Sequence, residues 1–185
     1  MAENRRVIVQ VRIRPVVLLL AALLSLSGCT SATYYASKNA QWRAIQRVAV
    51  MPFRLTFESP VRRQVMTQLF AQELRQTKVV EVVEVPMEDP LTETVSPSID
   101  EIARKYEADA VFTGGVDDAQ GAVVHVQLHD PAAQEVIWSG TYSLGVGAEF
   151  MSFRTQQQQF QRSLRQLARR FAARKGSSMF SNILP

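Results

Sequence analysis

The chain has 185 residues, of which 46% are hydrophobic and 21% are charged, and its formal net charge is +4. This length and apolar fraction fit one globular domain and exclude a chain that is disordered throughout. The single cysteine excludes a disulfide framework within the chain and a cysteine-rich zinc site. The sequence pI of about 9.6 is typical of nucleic-acid-binding proteins, so the location of the charges matters.

Residues 1–28 are predicted to be a lipoprotein signal peptide. Four arginines precede an apolar run over 16–26, which is too short to span a bilayer as a mature helix. The run ends in Leu26, Ser27, Gly28 and Cys29, which resembles the bacterial lipobox, where small residues precede the cut and the thiol accepts diacylglycerol. The resemblance implies a mature chain that begins at Cys29 with palmitate-type acyl chains. A plain secretory signal or an anchor helix is the alternative.

The residue after the cysteine indicates the destination. Thr30 stands where an Asp would favour retention in the inner membrane, so we expect an outer-membrane protein that faces the periplasm. A triacylated cysteine anchors more firmly than one acyl chain. Residues 29–41 are small and polar and are predicted to be a lipidated tether of at most roughly 40 Å. Tyr34 and Tyr35 within it would suit a membrane interface.

Removal of residues 1–28 changes the charge balance. That segment contains four arginines and one glutamate, so the remaining chain has a net charge of only +1. Residues 29–150 have a net charge of −6, and residues 151–185 have a net charge of +7 and no acidic residue. Export argues against nucleic acid as the partner, and the remaining feature is an acidic body followed by a basic helix.

The first half of the mature chain is predicted to alternate strands and helices. The apolar run 47–53 predicts a strand, and Ser59 and Pro60 predict a helix start with apolar residues at helical spacing up to Gln76. Residues 79–85 predict a second strand, and 87–97 a loop. Ser98 and Glu101 form a capping box that opens a short helix.

The second half is predicted to contain three strands and a long helix. The strands cover 110–116, 122–128 and 136–142, and the last two form a hairpin across a turn at Asp130. Apolar residues from Phe153 to Phe171 share one stripe of a helix that ends near Gly176, followed by an apolar tail over 177–185. The predicted fold is α/β, with a single mixed sheet, two crossover helices on one face, a C-terminal β-hairpin and a long C-terminal amphipathic helix.

Three stretches in chain order resemble the CsgG-like and TolB amino-terminal-like lipoprotein domains. Residues 47–53 are similar to the VAVLPF opening strand of these domains. Residues 103–114 are similar to their helix-to-strand junction, which has the pattern GADAVITG. Residues 126–139 resemble their hairpin, with an aspartate at the turn and a tryptophan on the returning strand. The resemblance covers 47–144 and implies that residues 42–176 form a periplasmic domain.

Members of this group build or regulate machines at the outer membrane and are not enzymes. The loop over 87–97 is too short for the two spanning strands that a curli-type channel inserts. The resemblance therefore implies an oligomeric accessory of exopolysaccharide or curli-like export, closest to PelC-like proteins, with a small size and a short tether. A regulator of a peptidoglycan synthase of the LpoB kind, which uses a longer tether, is the alternative, and a periplasmic hydrolase is a third.

Candidate catalytic residues do not form a constellation. His125 and His129 share one face of a predicted strand at a separation of roughly 13 Å, so one metal ion cannot bind both. The pair Gly114-Gly115 lacks the wider spacing and the lysine of a phosphate loop and predicts close packing or a positive φ. Asp117 and Asp118 suit a solvated turn better than a cation site. We expect no catalysis, no metal and no cofactor apart from the lipid.

The basic helix is the strongest candidate interaction surface. Its candidate contact residues are Arg162, Arg165, Arg169, Arg170 and Arg174. They could bind anionic membrane head groups, pair with the acidic body of a second copy, or simply form the solvated back of a core helix. The sequence leaves these three possibilities open.

Overall fold

A computed structural model describes residues 32–55, 60–87, 97–117, 123–144 and 153–180. Seven strands and three helices lie within these ranges. The strands are β1 (Ala32–Ala36), β2 (Arg47–Val50), β3 (Arg54–Leu55), β4 (Glu81–Glu84), β5 (Ala110–Asp117), β6 (Val123–Asp130) and β7 (Glu135–Ser143). The helices are α1 (Pro60–Thr77), α2 (Ile99–Lys105) and α3 (Phe153–Phe180). The lipobox and Cys29 lie outside the described residues.

All seven strands form one mixed sheet, as predicted. Its order is β1-β7-β6-β5-β2-β4, and β3 also pairs with β5. β2 is parallel to both β4 and β5, whereas β5, β6, β7 and β1 are antiparallel in turn. The predicted strand over 47–53 is interrupted at Pro52, and the chain rejoins β5 as β3 at Gly115 and Val116. Proline cannot donate a ladder hydrogen bond, which explains the break.

The two crossover helices lie on opposite faces of the sheet, so the prediction of one shared face is wrong. α1 packs with α3 against Val48 and Val50, whereas α2 packs against Ala49 and Val111 on the other face. The chain moves from β2 outward to β4 and then returns past β2 to β5. Because both crossovers are right-handed, reversing direction along the sheet moves the second helix to the opposite face. We call the side with α1 and α3 the two-helix face, and the other side the α2 face.

An aromatic cluster forms the core under the two-helix face. The rings of Phe70, Phe112, Phe171 and Trp138 meet edge to face at centroid distances of 5.1–6.1 Å. All four side chains are at most 1% exposed. Such edge-to-face pairs contribute about 0.5–1.5 kcal/mol each beyond the burial of their area. The cluster joins a crossover helix, the central strand, the hairpin and α3, and so connects the predicted elements into one core.

Residues 32–36 are an edge strand, so the predicted tether over 29–41 is wrong for this part. β1 pairs antiparallel with β7, from Ala32 opposite Tyr142 to Ala36 opposite Trp138. Beyond β1, the side chains of Ser37 and Trp42 are buried. The segment is too short for its hydrophobic pattern to indicate a strand. Its stability comes from pairing with β7, which is distant in the sequence. The domain therefore begins ten residues before the predicted boundary at residue 42.

The helix ends follow local chemistry at α2 but not at α3. Ser98 Oγ accepts from Glu101 N at 3.2 Å, and Glu101 Oε2 accepts from Ser98 N at 2.8 Å, which confirms the predicted capping box. α3 continues through Gly176 to Phe180, so the predicted end at Gly176 and the separate tail over 177–185 are wrong for residues 177–180. A glycine within a helix costs only about 1 kcal/mol. The packing of α3 against the sheet outweighs this cost, so the helix continues.

Candidate interaction surface on the carboxy-terminal helix

One side of α3 is committed to the core. The side chains of Leu164, Leu167 and Phe171 are fully buried, as the predicted stripe requires. The helix approaches the sheet closely at Gly140 of β7. A Cβ built there would lie 2.5 Å from Leu167 Cδ2 and 2.8 Å from Trp138 Cη2. A larger residue would have to displace these buried side chains, so Gly140 permits the close approach of helix and sheet.

Arg165 lies on the flank of α3 that faces α1. Its Nε and Nη2 contact the two carboxylate oxygens of Glu73 at 3.0 Å each. Glu73 is only 4% exposed, and the hydrogen bonds that the guanidinium of Arg165 donates to this carboxylate raise the pKa of Arg165 above its ordinary value. Fork-like pairing of this kind is specific to arginine. Arg165 therefore joins the two helices of the two-helix face and is not free to bind a partner.

Arg170 and Arg174 lie on the opposite flank, which faces the amino-terminal segment. The Arg170 guanidinium sits 5.2 Å from the ring centroid of Tyr34, and that of Arg174 sits 5.5 Å from the ring of Trp42. Arg174 Nη2 also donates to Ser37 O at 3.4 Å. These are cation–π contacts within the chain. They hold β1 and the following turn against the helix.

Lys175 strengthens the same contact, and sequence reasoning missed its role. Its side chain is fully buried, and Nζ donates to Trp42 O at 3.1 Å and to Ile45 O. Desolvation lowers the pKa of this ammonium group, and the charge of Asp109 partly offsets the effect. Lys175 stands four residues after Phe171 and so continues the apolar stripe. That position could have distinguished Lys175 from the solvated basic residues.

Arg162 and Arg169 form the outer face of α3. Both side chains are exposed, and they stand two helical turns apart, at about 10 Å along the axis. Of the five candidate contact residues, these two alone point away from the rest of the described structure. The surface that α3 offers to a partner is therefore smaller than the charge of +7 suggests.

The histidines lie on the α2 face, and neither is part of a metal cluster. His129 Nε2 lies 3.0 Å from Thr113 Oγ1, and burial lowers the pKa of the imidazole. His125 is exposed and its ring covers Gly115, where a Cβ would lie 2.6 Å from His125 Cε1. This confirms the prediction of close packing at Gly115. Within the described ranges, no three His, Cys, Asp or Glu side chains are placed to hold a metal ion.

None of the described helices is both long enough and apolar enough to cross a membrane. Glu81 and Glu84, at the β4 edge, are engaged in ion pairs with Arg47 at 3.5 Å and with Arg75 at 2.5 Å. These acidic residues belong to the surface of the body, on the side of the sheet opposite to β1. Both glutamates of the β4 edge are thus paired with arginines, and this edge lies on a different side of the domain from the outer face of α3.

No protein-family model matches the chain, and no curated protein is similar to it in sequence. Among solved structures, the PelC dodecamer from Paraburkholderia phytofirmans matches with a TM-score of 0.56 and 19% identity, over 78% of this chain and 98% of that chain. A point variant of the same dodecamer gives a TM-score of 0.53 and 20% identity over the same shares. The chain has the PelC fold. TolB from Acinetobacter baumannii matches with a TM-score of 0.40 and 11% identity, over 84% of this chain and 32% of that chain.

The match to PelC covers 98% of that chain and 78% of this one. The predicted α/β architecture with one mixed sheet and a long terminal helix is therefore confirmed by the structure and shared with a known protein. Both PelC structures are dodecamers. At about 20% identity the likeness establishes the fold.

Proposed function

We propose that this chain is a lipid-anchored protein of the outer membrane that faces the periplasm and assembles with copies of itself. In this role it is a non-catalytic accessory of an envelope secretion or assembly machine, such as one for exopolysaccharide or curli-like export. It has no cofactor apart from the lipid on Cys29. The observation that carries the proposal is the likeness to the PelC dodecamer over 98% of that chain.

The position of β1 supports a short spacer between the lipid and the domain. Only Thr30 and Ser31 separate Cys29 from the first residue of β1. Three extended residues reach about 11 Å, so a lipid on Cys29 would hold the sheet close to the membrane. A regulator of a peptidoglycan synthase must reach across the periplasm, and this spacer is too short for that. Co-purification of a synthase with the protein would reverse this choice.

Anchoring restricts how copies can assemble. All copies in one leaflet present the same end to the membrane, so a two-fold axis within the membrane plane is excluded. Head-to-tail contacts, in which two different surfaces meet, close into rings about an axis normal to the membrane. Arg162 and Arg169 on the outer face of α3 provide one such surface. The acidic body, whose residues 29–150 have a net charge of −6, provides the other.

The mass and the lipid of the purified protein test the proposal. Mass spectrometry of the amino-terminal peptide should find Cys29 acylated, and a Cys29→Ser variant should leave the membrane fraction. Light scattering of the detergent-solubilised protein should give an oligomer larger than a dimer. An unmodified Cys29 contradicts the anchor, and a monomer at high concentration, with and without detergent, contradicts the assembly.

A charge reversal on the outer face of α3 distinguishes a contact between copies from binding to anionic lipid head groups. Arg162→Glu/Arg169→Glu changes the charge of the outer face of α3 from +2 to −2, and Lys38→Glu/Arg104→Glu, at exposed positions elsewhere on the surface, is the matched control. Loss of the oligomer only in the first variant indicates a contact between copies. Loss of binding to anionic vesicles with the oligomer intact indicates lipid head groups. If neither property changes, the outer face is only the solvated back of the helix.

A further inference from the structure

The β4 edge of the sheet is closed by an arginine. Glu81 N and Val85 N donate to the backbone of β2, so by alternation the backbone groups of Val82 face away from the sheet. Arg75 Nη2 donates to Val82 O at 3.3 Å, and Arg75 Nη1 bonds to the Glu84 carboxylate. Charged side chains along an edge strand prevent its pairing with another chain. The β4 edge is therefore protected.

The opposite edge of the sheet, formed by β1, has no such protection. Ser37 N donates to Ile137 O of β7, so by alternation the backbone groups of Ala32, Tyr34 and Ala36 face away from the sheet. Within the described part of the chain, no hydrogen bond reaches these three backbone groups. β1 has no charged residue, no proline and no bulge, which are the features that usually protect an edge strand. The β1 edge can therefore accept a further strand.

An exposed tyrosine lies beside this edge on each face of the sheet. Tyr34 stands opposite Gly140 and lies on the two-helix face, whereas Tyr35 stands opposite Ser139 and lies on the α2 face. These two tyrosines are the large hydrophobic side chains that the described structure leaves exposed, and Tyr35 is 54% exposed. Aromatic side chains stabilise a neighbouring strand through cross-strand pairs. The edge thus offers side-chain contacts as well as backbone groups.

The surroundings of the β1 edge are positively charged. Neither residues 32–45 nor α3 contains an acidic residue, and the exposed Lys38 follows β1 closely. The Arg170 guanidinium lies 5.2 Å from the ring centroid of Tyr34. This contact uses the face of the guanidinium, and its N–H groups donate to no group in the described structure. A guanidinium that stacks on an aromatic ring can still bind a carboxylate in its own plane.

The same charges exclude a second copy of this chain at the β1 edge. If β1 of another copy paired here in antiparallel fashion, the Arg170 side chains of the two copies would lie close together. Like charges that face each other destabilise a strand pair. The β4 strand of another copy is excluded because Arg75 occupies its outward carbonyl group. The strand that fits this edge therefore comes from a different protein and is acidic.

We propose that the β1 edge binds an extended acidic segment of another protein, which adds to the sheet as a further strand. Backbone hydrogen bonds provide the affinity of such a contact, and alternate side chains provide its specificity. Acidic residues on the two-helix face would reach Arg170, and apolar residues on the α2 face would pack beside Tyr35. The partner segment therefore alternates acidic and apolar residues. The inference goes beyond the proposed function, because it requires neither the lipid on Cys29 nor assembly with copies.

Fluorescence anisotropy with labelled peptides and the purified full-length protein tests the site. The probe is a short blocked peptide of alternating glutamate and valine, and its control has lysine in place of glutamate. Two further peptides are N-methylated, one on its glutamate amides and the other on its valine amides, so that each has one blocked edge. The protein variant is Arg170→Gln. The matched variant Arg169→Gln removes the same charge from the outer face of α3, and circular dichroism checks that both are folded.

We expect saturable binding of the glutamate peptide and no binding of the lysine peptide. Arg170→Gln should weaken binding about tenfold, which corresponds to the loss of one charge-assisted hydrogen bond, and Arg169→Gln should leave it unchanged. One N-methylated peptide should lose binding and the other should keep it, because only one edge of an added strand contacts β1. These results are expected from a monomeric or unlipidated protein as well, so they are distinguishable from the outcome for the proposed function.

Three results would each overturn the proposal. Absence of saturable binding by the glutamate peptide excludes the site. Undiminished binding of both N-methylated peptides excludes pairing through the backbone. Equal binding by Arg170→Gln and Arg169→Gln shows that Arg170 does not contact the acidic residues of the added strand.

Discussion

Arg165 on α3 and Glu73 on α1 form a two-pronged ion pair, with the Nε–Oε2 and Nη2–Oε1 distances both 3.0 Å. Glu73 is 4% exposed, whereas 41% of the Arg165 side chain remains exposed. The pair crosses the interface between the two helices that cover one face of the sheet. An arginine that the charge pattern assigns to a partner therefore stabilises the domain itself.

Arg165→Gln should lower the thermal midpoint of unfolding, because it leaves the buried Glu73 carboxylate without its partner. The expected decrease is roughly 5 °C or more. Arg162→Gln removes the same charge from the outer face of the same helix and should change the midpoint by no more than about 1 °C. Calorimetry or circular dichroism measures both variants. Equal midpoints in the two variants would show that the pair contributes nothing.

Lys175→Met should loosen the amino-terminal segment. The substitution keeps the length of the side chain but removes the ammonium donor from Trp42 O and Ile45 O. Buried carbonyl groups left without a donor cost about 1–3 kcal/mol. Hydrogen exchange should rise over residues 32–45 more than over β5, with Lys38→Met as the exposed control. A uniform rise across the domain would contradict a local role for Lys175.

The strand β1 can be tested with proline. Ser37 N donates to Ile137 O at 2.8 Å, so by alternation the backbone groups of Thr33 face Thr141 and those of Ala32 face outward. Thr33→Pro should remove a ladder bond and speed hydrogen exchange in β7, whereas Ala32→Pro should not. If neither proline changes exchange in β7, residues 32–36 are a tether after all.

The order of elements could be predicted from the sequence because it depends on local signals. The Ser98–Glu101 box and the Asp130 turn both depend on a side chain that bonds to a backbone only two or three residues away. The faces of the crossover helices could not be predicted in this way. They depend on the strand order β5-β2-β4, which no local pattern records. β1 was missed for a similar reason, since its partner is more than 100 residues distant.

The sequence predicted the candidate surface as five arginines of α3. In the structure, three of them contact other parts of the chain and two lie on the outer face of the helix. A helical wheel places Arg165 and Arg169 at different angles around α3. It does not show that Glu73 of α1 lies beside Arg165. The burial of Lys175 depends on the carbonyl groups of Trp42 and Ile45, more than 100 residues away along the chain, which no local pattern indicates.

Acidification should destabilise the domain through His129. Burial lowers the pKa of this imidazole in the folded state below 6.5, so the unfolded state binds more protons between the two pKa values. Stability is therefore fully present above pH 6.5 and falls as the pH decreases toward the folded pKa. His129→Gln should flatten this dependence between pH 7 and 5, measured by urea unfolding, and His125→Gln is the control. Parallel curves for His129→Gln and the wild type would contradict the assignment.

Two glycines should respond to alanine with opposite signs. At Gly140 a Cβ would lie 2.5 Å from Leu167 Cδ2, so Gly140→Ala must displace the buried Leu167 side chain or α3 itself and should cost about 1–3 kcal/mol. At Gly176 no atom lies within 4 Å of the added Cβ, and the residue is helical, so Gly176→Ala should stabilise the protein by about 0.5–1 kcal/mol. Urea unfolding measures both. A loss of stability in Gly176→Ala would place the end of α3 before that residue, as the sequence alone suggests, and an unchanged Gly140→Ala would mean that α3 does not approach β7 this closely.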